Sequence, residues 1–543
     1  MYLRDCKISK KLQRRKIMKT FKKILAILLV CVFIGTALVG CSKKKGTGAS
    51  ADASGGDASG NQQATETQKQ TNIYGEPSFT GVVPTDELDF EGEDLTVIYR
   101  SGEIIEREWH KESPEDELDE AVAMRNAAVT ETLNLSISYE VVPWGSYDES
   151  SIRFNNMVLQ DVTGKLHYYD IVANFAYSAA YPTIRDCNAD LRDNELFPYF
   201  DFSLPCWNQA IVQRTTINDH LFYVAGDINI SLFDSAMVMW YNKTLYDKKK
   251  EATDPENVQD LALGGQWTYD ELYRWASRIY EDSNGEDGRQ GNDTYGFGVG
   301  KRGSGNPAPG DAIPHAWDLN FLTEKNDGTH EYNIIGNTKA AEAMTKFRNL
   351  YDANGTCEGM ATVGHFAAGS YVFYSSVIYP GKTANMAIRE MDDKYGLLPM
   401  PKYDIDQEQY GTTATDGYSL MTILAHDDIK GEAASAYLQL ATEESYTSVR
   451  GYYFNRIIKP KYFGTDDSEG TVSKSIALFD IIVANIEFEF WNIYSAQLNN
   501  IAWLWRDTVG IEGTLESEFN ASAEAFNKAL VETDAWLGLR TID

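Results

Sequence analysis

Cysteine is scarce in this chain, which has six among 543 residues. They are Cys6, Cys31, Cys41, Cys187, Cys206 and Cys357. The first three lie near the amino terminus, so three remain for the rest of the chain. An odd number spread over so long a sequence excludes a disulfide framework as the device that holds the fold together. Cys187 and Cys206 could form one bridge, but we expect buried free thiols.

Basic side chains are also few, with 49 Lys and Arg against 80 Asp and Glu and a formal net charge of -31. Ten of the bases precede residue 41, which leaves an even more acidic remainder. Non-specific nucleic-acid binding needs a basic surface that displaces counterions from phosphates, so this function is excluded. The same negative net charge argues against binding of the chain after residue 40 to an anionic membrane through its own surface.

The apolar run near the amino terminus, Ile24–Ala37, has only 14 residues and is too short to span a bilayer comfortably. It follows a basic patch after Met18, our expected true start, and is typical of a signal-peptide core within residues 1–40. The run ends in Leu38-Val39-Gly40-Cys41, which resembles the bacterial lipobox and implies lipid on Cys41. A transmembrane anchor is the alternative.

Residues 42–72 lack any large apolar side chain and consist of small, polar and charged residues. Such a stretch cannot bury enough surface to fold, so we predict a flexible tether over residues 41–75 with a reach of about 30 Å. The expected localisation is the extracellular face of the cytoplasmic membrane, anchored by lipid.

Signatures of catalysis are missing too. The seven His residues show no pair at metal-ligand spacing, and no Gly-x-Ser-x-Gly elbow occurs. Gly296–Arg302 is rich in glycine but lacks the spacer and the Ser or Thr of a phosphate-binding loop. We therefore expect no enzyme. A glycosidase or lyase that uses two of the many carboxylates stays open as the alternative.

Strand-like and helix-like segments alternate after the tether. The strands are predicted at Leu95–Tyr99, Leu135–Val141 and Tyr169–Ala173, with a helix that starts near Ser113 and another around Ser151–Gln160. This order predicts a parallel sheet wrapped by helices, with ligands bound beyond the carboxyl ends of its strands.

A second set of elements begins with a strand over Ala236–Tyr241. A capping box of Thr268 and Glu271 predicts the start of a helix, and Trp275 on that helix is assigned to the core, as is Phe347 on a later helix. From about Ser473 the chain is rich in Phe and Trp and is expected to be helical.

Four stretches in this order resemble the extracellular solute-binding proteins of carbohydrate ABC importers, the large kind related to maltodextrin-binding proteins. The stretches are Tyr169–Asn174 (YDIVAN), Met239–Leu245 (MWYNKTL), Gln266–Phe297 with its WTYDEL and DTYGFG, and Phe366–Gly369 (FAAG) together with Tyr395–Pro401 (YGLLPMP). The resemblance spans about residues 90–450.

The resemblance implies an α/β, two-lobed periplasmic-binding-protein-like fold of type II, in which each lobe is a mostly parallel sheet wrapped by helices. The expected boundaries are 76–236 for the first lobe, 237–410 for the second, 411–470 for the return, and 471–543 for a helical region packed mostly on the second lobe. It also implies that a monomer without a required cofactor captures a sugar or oligosaccharide and delivers it to permease subunits. A peptide receptor is a further alternative.

Sugar recognition needs flat apolar rings and fixed hydrogen-bonding groups, and loops at strand ends can present both. The candidate ligand-binding residues are Trp144, Asn174, Tyr177, Asp227, Trp317, Tyr374, Tyr379, Asp416 and Trp491. For each ring the alternative is core packing, and for each Asp it is a turn or cap.

The segment around Asp282-Ser283-Asn284-Gly285-Glu286 resembles a calcium loop, because oxygen ligands alternate around a glycine. The candidate ligands are Asp282, Asn284, Glu286 and Asp293. The spacing is not regular, and Asp293 stands where a Glu is usual. A plain Asn-Gly turn between a helix and a strand is the alternative.

Overall fold

The computed structural model describes residues 78–539 except 112, 146, 284, 286–287, 305–308, 416 and 464–469. Two separate sheets organise these residues, one in each of two lobes. No helix in the described part of the chain is both long and apolar enough to cross a membrane. The free thiols of Cys187, Cys206 and Cys357 are all buried.

The first lobe contains a four-stranded sheet. Its strands, in spatial order, are Leu135–Val142, Glu93–Arg100, Ile171–Phe175 and Ser419–Ile423. The first three are parallel, and the last, which returns from the second lobe, is antiparallel to its neighbour. Apolar side chains cover both faces of this sheet. The carboxyl ends of the three parallel strands therefore lie along one edge, as the β-α-β order predicts.

Helices and short elements cover this sheet. They are Glu103–Trp109, Glu117–Leu133, Tyr147–Thr163, Ala176–Ser178, Ala180–Thr183, Gln209–Thr215, Ile230–Asp234 and Gly431–Glu444, with the hairpin Thr216–Ile217 and His220–Leu221 and the π-helical turn Ser445–Arg450. The next π-helical turn, Tyr453–Tyr462, packs on the second-lobe helix Lys382–Arg389. The helix predicted from Ser113 begins at Glu117 instead. Asp116 is its cap, because this carboxylate accepts the backbone N–H groups of Leu118 and Asp119.

The second lobe is built around a mixed sheet. Its strands, in spatial order, are Thr356–Glu358, Thr294–Val299, Tyr371–Val377, Met237–Asn242 and Tyr395–Leu398, with Tyr280–Glu281 paired to Thr294–Val299. The helices are Lys243–Lys249, Val258–Leu263, Tyr269–Arg278, Pro309–Ala316, Thr338–Asp352, Val363–Ala367 and Lys382–Arg389, and Leu322–Glu324 pairs with His330–Tyr332.

The helix that contains Trp275 starts where predicted, but the capping box is wrong. Thr268 occupies the cap position without a side-chain hydrogen bond to the helix. Glu271, the expected partner, instead forms an ion pair with Arg274 at 2.6 Å. Trp275 and Phe347 are both buried in the core, as predicted.

The carboxyl-terminal region is helical, as predicted. Its helices are Thr471–Ala484, Phe490–Ile493, Ile501–Val509, Leu515–Ala521 and Ala523–Trp536. Ile501–Val509 packs against two second-lobe helices, Pro309–Ala316 and Thr338–Asp352.

Two chain segments pass between the lobes side by side. The backbone N–H of Met237 donates to Thr413 O at 3.1 Å, and that of Thr415 donates to Ser235 O at 2.8 Å. A third segment lies alongside, because the backbone N–H of Glu487 donates to Thr412 O at 2.8 Å. These backbone bonds form a hinge that joins the two sheets.

Candidate functional site

The strand ends of the first lobe meet in a small aromatic cluster. Trp144 follows one strand, and its backbone N–H donates to the hydroxyl of Ser101, which follows the neighbouring strand, at 2.9 Å. The guanidinium of Arg100 lies 5.0 Å from the Trp144 ring centre and 4.7 Å from that of Phe175. The arginine therefore joins the ends of all three parallel strands.

Tyr177 extends from this cluster to a ring that is packed on the second lobe. Its ring stacks on Trp503 with 4.6 Å between centres and 3° between planes. A hydrogen bond of 2.7 Å joins its hydroxyl to that of Ser495. Because Trp503 belongs to helix Ile501–Val509, one ring of this stack comes from each side of the molecule.

Charged groups lie beside the stack. The guanidinium of Arg506 is 5.0 Å from the Trp503 ring centre, and one of its nitrogens lies 3.2 Å from both carboxylate oxygens of Asp311. An ion pair of this kind presents both a donor and an acceptor of strong hydrogen bonds.

These groups line an interlobe crevice. Its lining residues are Ala176, Tyr177, Asp311, Thr413, Ala414, Thr415, Tyr418, Asn492, Ala502 and Trp503. The crevice therefore takes residues from a first-lobe strand end, from the hinge and from the carboxyl-terminal region. It encloses about 20 Å³, room for about one water molecule. A sugar ring can enter only if Tyr177 and Trp503 separate.

A second interlobe contact surrounds Tyr379. The guanidinium of Arg107, on helix Glu103–Trp109, lies 4.3 Å from the Tyr379 ring centre. The same arginine forms a 3.1 Å ion pair with the fully buried carboxylate of Asp234, which also accepts the hydroxyl of Tyr453. Arg107 thus covers a face of the ring that the sequence assigns to ligand binding.

The neighbouring Glu108 is a buried acid. Its carboxylate accepts the backbone N–H of Ser231 at 2.9 Å. Burial, which penalises the charged form, raises the pKa of Glu108 to about 7.

Asn174 and Asp227 lie elsewhere among polar contacts. The Asn174 amide donates to Asn155 at 3.0 Å and accepts the hydroxyl of Ser178 at 3.3 Å, directly below the strand end. Asp227 forms an ion pair with Arg450 at 3.1 Å and lines a different depression of about 550 Å³.

Three of the candidate rings are buried in the core. The Trp317 indole donates to Pro401 O at 3.1 Å. Tyr374 stacks on Phe366 and Tyr371. Trp491 stacks on His315. These contacts account for the three rings by packing, so we leave them out of the proposed site. Asp416 lies outside the described residues.

In the structure Tyr177 lines the crevice, Trp144 lies near it across the ring of Phe175, and Tyr379 lies at a separate interlobe contact. Asn174 is bonded to Asn155 and Ser178 and is not among the residues that line the crevice. The structure adds Arg100, Asp311, Trp503 and Arg506, which the sequence analysis missed. Trp503 and Arg506 are three positions apart on one helix, so the pairing of an aromatic with a charged residue on one helical face was a usable signal.

The calcium loop is described only in part, because Asn284 and Glu286 lie outside the described residues. Asp293 is fully buried and accepts the backbone N–H groups of Ser283 at 3.2 Å and Gln290 at 2.9 Å. Asp282 accepts the backbone N–H of Gly285 at 2.7 Å. Both carboxylates thus act as turn caps, and the described residues contain no group of three or more His, Cys, Asp or Glu arranged to hold a metal. The calcium site stays a prediction.

Comparison with solved structures identifies the architecture. The chain is similar to the GacH receptor of Streptomyces glaucescens GLA.O, with a TM-score of 0.52 and 14% identity over 81% of this chain and 99% of that one. An ABC transporter solute-binding protein from Thermotoga lettingae TMO, bound with alpha-D-tagatose, has a TM-score of 0.53 and 14% identity over 81% of this chain and 100% of that one. The cyclic alpha-maltosyl-1,6-maltose binding protein from Arthrobacter globiformis has a TM-score of 0.50 and 16% identity over 81% of this chain and 99% of that one.

The chain has the two-lobed fold of these solute-binding proteins. The prediction of an α/β fold with two lobes is confirmed. No protein-family model matches the sequence, and no curated protein matches it either. At such low identity the likeness in structure defines the fold alone.

Proposed function

We propose that this protein is the substrate-binding component of an ABC importer, and that it captures a sugar or oligosaccharide in the interlobe crevice. The observation that carries the proposal is the stack of Tyr177 on Trp503. Tyr177 follows a strand of the first lobe, and Trp503 lies on the carboxyl-terminal helix that packs on the second lobe. A pyranose has apolar C–H faces that pack on such rings, and its hydroxyls need fixed donors and acceptors.

The polar groups around the stack suit hydroxyl recognition. Asp311 and Arg506 offer a charged acceptor and a charged donor, while Thr413, Thr415 and Asn492 line the same crevice with neutral groups. Charge-assisted hydrogen bonds are the stronger kind, so we assign orientation of the sugar to the ion pair.

Movement at the hinge gives the sugar access. Backbone bonds hold the crossing segments together, whereas side chains alone close the crevice, so the lobes can part without breaking either sheet. Closure on a ligand is then driven by contacts that exist only when both lobes touch it.

The structures with a similar fold support the same ligand class. The GacH receptor was solved in complex with acarbose, and the Thermotoga protein with tagatose. We extend this chemistry to the present chain and propose that it delivers its ligand to permease subunits. We also propose, from the sequence of residues 18–41, a lipid anchor on Cys41, which lies outside the described residues.

A glycan panel tests the proposal. The chain without residues 1–41 is heated with each of a set of mono- and oligosaccharides, and its melting temperature is recorded. A binder gains stability as ligand concentration rises above Kd, by about 2.7 kcal/mol at a hundredfold excess. The sugars are then analysed by chromatography. We expect at least one stabilising sugar that is recovered intact. Cleavage of the sugar, or no stabilisation across the panel, would contradict the proposal.

A further inference from the structure

The last helix, Ala523–Trp536, is fixed to the second lobe. The fully buried carboxylate of Asp534 lies 2.7 Å from Nδ1 of His330 and accepts the His330 backbone N–H at 3.1 Å. The hydroxyl of Tyr332 donates to Phe526 O at 3.1 Å, and the rings of Tyr332, Phe519 and Phe526 pack together. The helix therefore moves with the second lobe.

The carboxyl end of this helix contacts the first lobe. The ring centre of Trp536 lies 5.2 Å from that of Phe222, which sits next to the first-lobe hairpin. The Trp536 indole N–H donates to Asp186 Oδ1 at 3.3 Å. One side chain of the second lobe is thus held by two residues of the first.

A first-lobe turn also caps the helix. The side-chain amide of Asn218 donates to the carbonyl of Leu537 at 2.6 Å. The last carbonyls of a helix have no partner within it, so this bond satisfies a group that would otherwise need water. Asn218 and Asp219 have φ of 50° and 66°, the left-handed conformation of a tight hairpin turn, which Asn and Asp tolerate.

An ion pair lies further along the same first-lobe segment. Arg214, on the helix that precedes the hairpin, is 3.4 Å from Glu489 of the carboxyl-terminal region. Four contacts thus join residues 186–222 of the first lobe to Glu489, Trp536 and Leu537, and we call the side of the molecule on which they lie the flank. We call this set the clasp: Arg214, Asn218, Phe222 and Asp186 of the first lobe, with Glu489, Trp536 and Leu537.

We propose that the clasp is a conformational device that holds the lobes in the arrangement in which Tyr177 stacks on Trp503. The clasp contacts are made by side chains that join two bodies, so they are lost when the lobes separate along this flank. They therefore add to the stability of the shut state before any ligand binds. The clasp thereby lowers the fraction of open molecules and, with it, the access of ligand.

The test measures lobe separation without any ligand, so its outcome does not depend on the proposed function. Azide-bearing residues replace Met124 of the first lobe and Met386 of the second, both exposed, and carry a donor and an acceptor dye. Single-molecule energy transfer is recorded on protein purified in detergent from cells that make the full chain. Labelling through azides leaves the cysteines unmodified.

Two substitutions break the clasp in different ways. Trp536→Ala removes the ring and its hydrogen bond, while Asn218→Asp keeps a residue that tolerates the turn but loses the N–H donor. We expect each to raise the ratio of open to shut molecules, by roughly tenfold for Trp536→Ala and about threefold for Asn218→Asp. Lys528→Ala, on the exposed face of the same helix, is the control and is expected to leave the ratio unchanged.

Identical distance distributions for Asn218→Asp, Trp536→Ala and the unmodified protein would overturn the proposal. Circular dichroism verifies that each variant is folded, and Asn218→Asp serves as the decisive variant if Trp536→Ala unfolds. A sugar titration on the same molecules then reports separately on the proposed function, because a failure to bind sugar leaves the effect of the clasp variants intact.

Discussion

The core of the second lobe and the interlobe crevice are both built from aromatic rings, but the rings are arranged differently. In the core, Trp317 meets Tyr269, Phe347 and Tyr403 at 89°, 81° and 67°, and all four rings belong to one lobe. In the crevice, Tyr177 and Trp503 are parallel within 3°, and each lobe supplies one ring. The core rings interlock within one lobe, whereas the stack in the crevice joins one ring from each side.

Residue type alone therefore does not tell a ring at the interlobe crevice from a ring in the core. What distinguishes Trp503 from Trp317 is that it is only half-buried and faces a ring on another body. Trp317, by contrast, is fully buried and has its N–H satisfied by Pro401. The two tryptophans should therefore respond differently to the same substitution.

The largest expected effect comes from breaking the core. Trp317→Ala should lower the free energy of unfolding by about 3–5 kcal/mol, because it leaves a cavity among three rings and an unpaired carbonyl. Urea denaturation measures the change. Tyr168→Ala, at a ring that is 62% exposed, is the matched control and should have little effect. Equal losses for the two variants would contradict the account of the core.

The next effect concerns pH and the buried Glu108 of the first lobe. Because burial raises the pKa of Glu108 to about 7 from an ordinary 4.5, the folded state binds its proton more tightly than the unfolded state. The free energy of unfolding should therefore fall as pH rises from 4.5 to 7, by roughly 3 kcal/mol from this group.

Glu108→Gln removes this contribution, so its stability should vary less with pH than that of the unmodified protein. The exposed Glu131→Gln is the control, and its pH profile should match that of the unmodified protein. Denaturation at several pH values between 4 and 8 measures both. If the stability of Glu108→Gln changed with pH as that of the unmodified protein does, Glu108 would not be the cause of the pH dependence.

The smallest change in stability, about 1 kcal/mol, is expected for Trp503→Ala, since the ring is half-buried and separable. Its effect on ligand binding should be large: about 2 kcal/mol, or about 30-fold in Kd for a sugar found with the panel. Calorimetric titration measures the affinity, with Tyr168→Ala again as the control. An unchanged Kd would place the ligand away from this ring.

The three parallel strands of the first lobe could be predicted from the sequence, because buried parallel strands and amphipathic helices have clear periodic patterns. The antiparallel return strand Ser419–Ile423 was not predicted. The sequence pattern also placed Trp144 and Tyr177 at strand ends. In the structure Tyr177 lines the crevice, and Trp144 lies near it across the ring of Phe175. In contrast, the sequence could not distinguish ligand-binding rings from the core rings Trp317, Tyr374 and Trp491, because a large aromatic side chain packs equally well in a core.

The partners of Tyr177 could not be predicted. Ser495, whose hydroxyl forms a hydrogen bond with the Tyr177 hydroxyl, is 318 positions away in the chain. No local sequence pattern indicates a contact between residues so far apart. The position of Trp503 depends on how helix Ile501–Val509 packs on the second lobe, in a region where the sequence resembles the solute-binding proteins least. The helix start predicted near Ser113 was wrong by four residues for a local reason, because Asp116 caps the backbone N–H groups of Leu118 and Asp119.

We propose that a sugar binds between the two lobes at Tyr177 and Trp503. A crystal structure of the protein with a sugar that stabilises it would locate the ligand. We expect a sugar ring in contact with both side chains, which then no longer stack on each other at 4.6 Å. A sugar bound elsewhere, with the Tyr177–Trp503 stack intact, would contradict it.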